Sequence, residues 1–194
     1  MIKYSRVTVH PTVEPLTVAE AKYHCKVDDA STEETDYFSR LIWRARRICE
    51  NYTGLSFLTQ TREIALDYFP CGVIEIPYGP VQSITSFKYF DTSGVEQTLV
   101  LNTDFRLDNK GNIARLQSID GWPTPKDQLN AVIIIYVAGY TNVGEDVLPE
   151  DAVDMVSRLV ARLYEKRGDE GLTPLTDEIM DIGDAIKVYW NATY

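Results

Sequence analysis

The sequence has few of the residues on which catalytic and metal-binding proteins depend. Its 194 residues include only two histidines and three cysteines. The cysteines are scattered and none forms a Cys-x-x-Cys pair, which argues against a zinc site or a disulfide framework. The common nucleophile, metalloprotease and phosphate-binding motifs do not occur. We therefore expect no enzyme, no cofactor and no metal.

Long apolar segments and an excess of basic charge are also missing. The longest apolar run, 131–139, is far shorter than the roughly 20 residues that a membrane helix needs. The first residues show no apolar segment typical of a signal peptide. The chain has 19 basic and 29 acidic residues, a net charge of −10. Because a protein that wraps nucleic acid needs a basic surface, we expect a chain that neither enters a membrane nor grips DNA.

Patterns with helical spacing lie on both sides of a central region. Thr17 and Glu20 form a capping box, which predicts a short first helix. An apolar stripe with steps of three and four predicts a second helix over 35–53, ended by Gly54. A similar stripe predicts a third helix over 149–167.

The central region, 55–138, has short segments rich in β-branched and aromatic residues, separated by turn signals. This spacing predicts about six strands in a small antiparallel sandwich or barrel. The predicted fold class is α+β: a helical body, made of two long packed helices and a short N-terminal helix, with an inserted antiparallel β unit. This predicts four parts along the chain. Residues 1–54 and 141–168 are the N-terminal and C-terminal parts of the helical body, 55–140 are the β unit, and 169–194 are an acidic tail.

Arginines form a stripe on each of the two long predicted helices. Arg40, Arg44 and Arg47 share one face of the second helix, and Arg158 and Arg162 share a face of the third. Few acidic residues lie at a spacing that would neutralise them within the helix. In an acidic protein these stripes indicate charge pairing between chains. The alternative is an ordinary solvated helix face.

The acidic tail combines a Gly- and Pro-containing joint with an aromatic end. Tyr189 and Trp190 are too apolar for a purely solvated segment. We expect them to bind a partner, with the tail mobile in the free chain and ordered in an assembly. The alternative is a tail that folds back on the helices of its own chain.

Two other kinds of function stay open at this stage. Paired carboxylates, Glu63 with Asp67 or Glu75 with Asp91, are the minimal requirement of a glycoside hydrolase, although acids that alternate along strands are typical of a solvated sheet face. Trp122, in a loop, is either a platform for a carbohydrate ligand or a plug at one end of the β core.

Several segments, taken in order, resemble the head–tail connector (adaptor) proteins of tailed bacteriophages and gene transfer agents. The resemblance spans about residues 14–167 and rests on these segments: 14–22, 50–54, 77–84, 89–94, 121–123, 137–140 and 163–167.

The resemblance implies a structural virion protein without catalytic residues or cofactor, made in the host cytoplasm and located at the head–tail interface. It implies a homo-oligomeric ring, usually a dodecamer, that docks beneath the portal protein and above a downstream neck, stopper or tail protein. DNA would pass through the lumen, and an acidic chain suits a lumen that must not retain DNA. The alternative is a carbohydrate- or protein-binding β module on a helical mount, and a carboxylate hydrolase comes third.

Overall fold

The chain divides into two compact units. The β unit contains the described residues of Met1–Pro11 and Thr59–Gly139, and the α unit contains those of Thr12–Leu58 and Tyr140–Thr193. The computed structural model describes these residues: 2–28, 31–111, 113–141, 147–167 and 177–192.

The described part of the β unit consists of two antiparallel sheets. The first sheet has the strand order β1-β2-β8-β4-β5 and the second has the order β3-β7-β6. The strands are β1 (Ile2–Val9), β2 (Gln60–Leu66), β3 (Ile74–Ile76), β4 (Val81–Phe90), β5 (Glu96–Thr98), β6 (Phe105–Asp108), β7 (Ala114–Ser118) and β8 (Val132–Ala138).

The central strand β8 holds the first sheet together. It pairs with β2 on one side and β4 on the other, and every second side chain is fully buried. This alternation places Ile134 and Tyr136 in a core that both sheets share. The Tyr136 hydroxyl donates to the carbonyl of Pro77 at 2.7 Å, and burial raises the pKa of Tyr136 to about 12.

The described helices all lie in the α unit: α1 (Val18–His24), α2 (Thr32–Thr53), α3 (Glu150–Glu165) and α4 (Asp177–Ala192). Their ends follow the sequence signals. The capping box of Thr17 and Glu20 is present at α1, and Ser31 caps α2. Gly54 ends α2 in the left-handed conformation, with φ of 72°. The first three predicted helices are therefore confirmed, with small shifts of their ends.

The buried faces of the helices form one core. α2 contacts α1, α3 and α4, and α3 contacts α1 and α4. The rings of Phe38 and Tyr164 stack with centroids 4.9 Å apart, which joins α2 to the end of α3. None of the described helices is long and apolar enough to span a membrane.

The fold class predicted from the sequence is wrong. The described residues form eight strands in two antiparallel sheets beside four helices. The chain is thus a β-rich α+β fold and not a helical body of two long helices with one inserted β unit. One cause is β1, because residues assigned to the N-terminal part of the helical body pair along β2. Another is that α3 has only 16 residues and packs with α4.

The described part of the C-terminal tail follows the alternative interpretation. α4 packs against α2 and α3, and it buries Ile179 and Ile186 in the core of the α unit. The predicted joint, 168–174, lies outside the described residues.

The three cysteines occupy different environments, which leads to a first prediction. Cys49 is fully buried and Cys71 is exposed. Burial raises the pKa of the Cys49 thiol to about 12, so almost no reactive thiolate forms at neutral pH. We expect iodoacetamide to label Cys71 in the native chain and Cys49 only after unfolding, as mass spectrometry of the digested protein would show. Rapid native labelling of Cys49 would contradict the burial of this face of α2.

Candidate partner-binding surfaces

The solvent-exposed side of α2 carries a basic and aromatic stripe. Arg40, Trp43, Arg44 and Arg47 follow one another at steps of three, one and three, and all four are exposed. The Arg47 guanidinium lies 4.8 Å from the centroid of the Trp43 ring, a cation–π contact that orders both side chains. Arg40 and Arg44 form no ion pair with any described residue. We call these four residues the basic face of α2.

A fourth arginine of α2, Arg46, has a different role. Its side chain is 1% exposed, with Nε 2.7 Å from Glu14 Oε2 and Nη1 3.0 Å from Glu50 Oε2. Burial lowers the pKa of Arg46, but the hydrogen bonds and charges of both glutamates outweigh it and raise the pKa above its ordinary value. The burial of Arg46 could have been predicted from the sequence. Arg46 lies four residues after Ile42 and three before Cys49, so helical spacing places it within the apolar stripe.

The arginines of α3 are more strongly engaged with their own chain. Arg158 Nε lies 2.8 Å from Asp154 Oδ2, and both side chains are partly exposed. Arg162 is half-buried and also interacts within the chain. Because an exposed i,i+4 ion pair stabilises a helix by only about 0.3–0.5 kcal/mol, Arg158 is still accessible to a competing partner.

Among the described side chains of α4, those on the exposed side are mostly acidic. Ile179, Gly183 and Ile186 face the core, whereas the opposite side carries three exposed aspartates. Tyr52 donates to Asp184 Oδ1 at 2.9 Å, which links α4 to the last turn of α2. Tyr189 and Trp190 belong to the last turns of α4, and their side chains lie outside the described residues. The acidic face of α4 consists of Asp177, Asp181 and Asp184.

Trp122 lies beside a cleft of about 510 Å³ in the β unit. Its ring stacks on Phe69 at 5.2 Å with an interplanar angle of 4°. Its Nε1–H donates to the carbonyl of Gly72 at 2.6 Å, and the side chain packs against the shared core. Since Phe69 covers one face of the indole, the contacts favour the interpretation of Trp122 as a plug of the β core.

Replacement of Trp122 by alanine tests this interpretation. We expect Trp122→Ala to lower the free energy of unfolding of the β unit by about 1–2 kcal/mol, because it removes an aromatic stack and buried area. Urea unfolding followed by circular dichroism measures the effect, and Tyr23→Ala is the control at an aromatic residue that is 88% exposed. If Trp122→Ala left stability unchanged and abolished binding to a carbohydrate panel, the platform interpretation would hold instead.

Three of the four carboxylates proposed for catalysis, Glu63, Asp67 and Asp91, have structural partners. Glu63 Oε1 lies 2.8 Å from Arg6 Nη2. The pKa of Asp67 is lowered because its carboxylate accepts hydrogen bonds from the backbone N–H of Asn130 and from the side chain of Lys3. The amide of a glutamine and the backbone N–H groups of a hairpin turn lower the pKa of Asp91. A catalytic general acid needs a raised pKa, so the lowered pKa of Asp67 and of Asp91 makes neither aspartate suited to that role.

A metal centre has no support in the described ranges either. Over residues 2–28, 31–111, 113–141, 147–167 and 177–192, no cluster of three or more His, Cys, Asp or Glu side chains could hold a metal ion.

No known protein-family model matches the sequence, and no curated protein matches it either. Solved structures do match the fold. A chain of the virion of a native gene transfer agent (GTA) particle aligns with a TM-score of 0.74 and 20% identity, over 93% of each chain.

Two structures of particle necks are also similar. The neck of an empty GTA particle, computed with C6 symmetry, gives a TM-score of 0.75 at 20% identity over 94% of each chain. The neck of a native GTA particle, computed with C12 symmetry, gives 0.67 at 22% identity over 93% of each chain. At these identities the likeness establishes the fold.

Proposed function

We propose that the chain is a structural, non-enzymatic subunit in the neck of a phage-like or GTA-like virion. The observation that carries this proposal is the agreement of the whole fold, strands and helices together, with chains of GTA necks at TM-scores up to 0.75. Coverage of 93–94% of both chains means that the likeness is not limited to one common motif.

Within the neck, we propose the role of a head–tail connector. Copies of the chain would form a ring, most simply a dodecamer, with the portal protein on one side and a neck, stopper or tail protein on the other. The sequence resemblance supports this role, and the C6 and C12 symmetries used for the similar necks agree with a ring. A net charge of −10 suits a lumen through which DNA passes without being retained.

The arginine stripes and the end of α4 are the proposed binding residues of this ring. Arginine and tryptophan are enriched at protein interfaces, and residues at interface centres dominate the binding energy. We assign contacts with neighbouring copies or with the portal to these side chains: Arg40, Arg44, Arg47, Arg158, Arg162, Tyr189 and Trp190.

The mass of the assembled protein tests the function. We expect the purified chain alone to form a ring whose mass, measured by native mass spectrometry, is a multiple of 22.0 kDa. Mixed with the portal protein of the same particle, it should add such a multiple to the mass of the portal assembly. Negative-stain images of the same sample would show the ring. A chain that stays monomeric in both conditions and binds glycans would instead be the carbohydrate-binding module.

A further inference from the structure

Two exposed helix faces of the α unit match in spacing and have opposite charge. The arginines of the basic face of α2 are separated by steps of four and three residues, and the aspartates of the acidic face of α4 repeat these steps. At a rise of 1.5 Å per residue, each set spans about 10 Å. Two helices side by side could therefore bring each arginine close to one aspartate.

Neither face is used for this pairing inside the chain. Among the described residues, no ion pair joins the basic face of α2 to the acidic face of α4. Arg40 and Arg44 have no described partner, while Arg47 makes a cation–π contact with Trp43 on the same face. On the acidic face, Asp184 accepts the Tyr52 hydroxyl within the chain, and a carboxylate in such a bond keeps further acceptor positions for an arginine in trans.

The basic face also has the composition of a binding surface. Trp43 is 41% exposed and lies between the arginines. On the acidic face, Ala185 is exposed one turn after Asp181 and offers an apolar surface on which an indole could pack. A tryptophan surrounded by arginines is typical of an interface centre, where the aromatic ring is buried and the charges are paired.

We propose that the basic face of α2 in one copy of the chain binds the acidic face of α4 in the next copy. A second copy is favoured over DNA as the occupant because the net charge of −10 repels a polyanion. Since different faces meet, the contact is heterologous, and repetition of such a contact closes into a ring when the rotation allows it. The inference rests on the proposed function and names the contact that builds the ring.

Charge reversal on each side provides the test. Arg44→Glu places a carboxylate opposite Asp181, and Asp181→Lys places an ammonium opposite Arg44. We expect each variant alone to weaken the subunit contact at least about tenfold at moderate salt, because like charges then face each other at every interface. Native mass spectrometry should show loss of the ring, while circular dichroism shows that the separated subunits keep the wild-type secondary structure.

A mixture of the two variants makes the test specific. In an equimolar mixture, the carboxylate introduced by Arg44→Glu in one chain can pair with the ammonium introduced by Asp181→Lys in the other. The unchanged Arg44 of the second chain can pair with the unchanged Asp181 of the first. We therefore expect rings to return with the two chains in a 1:1 ratio. A chain that carries both Arg44→Glu and Asp181→Lys should assemble by itself.

Two variants in the β unit are the matched controls. Arg106→Glu and Asp127→Lys make the same charge changes at exposed positions outside both faces, and we expect wild-type assembly from each. If the wild type assembles and both single variants assemble equally well, the inference fails and the proposed function stands. If the single variants fail and their mixture does not recover, the two faces do not meet. A wild type that never assembles overturns the proposed function itself.

Discussion

Replacement of Arg46 by leucine should lower the free energy of unfolding by about 3–5 kcal/mol. Arg46 donates through Nε and Nη2 to both oxygens of Glu14, at 2.7 and 3.1 Å, and through Nη1 to Glu50 at 3.0 Å. Glu50 also accepts the backbone N–H of Phe57 at 2.9 Å. Without the guanidinium, the Glu50 carboxylate, 5% exposed, loses its ion pair with Arg46 while it stays buried. Urea unfolding measures the loss.

Two further variants separate the buried network from a general effect of charge. Arg106→Leu removes an arginine from an exposed position of the β unit, outside the proposed binding residues, and we expect a change within about 0.5 kcal/mol. Adding Glu14→Gln and Glu50→Gln to Arg46→Leu should restore part of the stability, because neutral amides are cheaper to bury than unpaired carboxylates. Wild-type stability of Arg46→Leu alone would contradict the role of this network.

The helices could be predicted from the sequence because capping residues within one turn mark their ends. The Thr17–Glu20 capping box and Gly54 fix the backbone within one turn, and no distant contact is needed to recognise them. The apolar stripe of α2 was also visible, since its side chains recur at helical spacing. These features depend on residues three or four apart.

The strands depended on partners far away in the chain. β1 pairs with β2 across more than fifty residues, and its own sequence shows no regular alternation because the register shifts near both ends. The division into two sheets depends on which strands pair with each other. The spacing of apolar residues within one strand does not determine its partner strand, so the two sheets could not be predicted. The predicted fold class was wrong for this reason.

Some of the candidate binding residues could be predicted from local spacing, and others could not. Arg40, Arg44 and Arg47 could be placed on one helix face from spacing alone, and the structure leaves all three exposed. Trp43 was missed because the predicted stripe was defined by charge and left out the aromatic residue between the charges. The role of Arg46 was not predicted, since its partner Glu14 lies 32 residues away.

Gly183 explains how α4 can pack so closely on α2 and α3, and it leads to the second large prediction. A Cβ at this position would lie 2.7 Å from Tyr52 Cε1 and 2.9 Å from Met155 Cε. We expect Gly183→Val to cost about 2–3 kcal/mol through overpacking, although valine is a slightly better helix former than glycine. Hydrogen exchange should show lost protection of the α4 amides, with α2 and the β unit unchanged.

The position of α4 connects this change to assembly. If α4 leaves its site, the aspartates of its acidic face no longer have a fixed position opposite the basic face of a neighbour. Gly183→Val should then weaken ring formation, although no charge has changed. Gly111→Val is the control, since the nearest atom to its Cβ is 3.9 Å away, and we expect wild-type protection and assembly. Full assembly of Gly183→Val with an unprotected α4 would remove α4 from the subunit contact and direct attention to the α3 arginines.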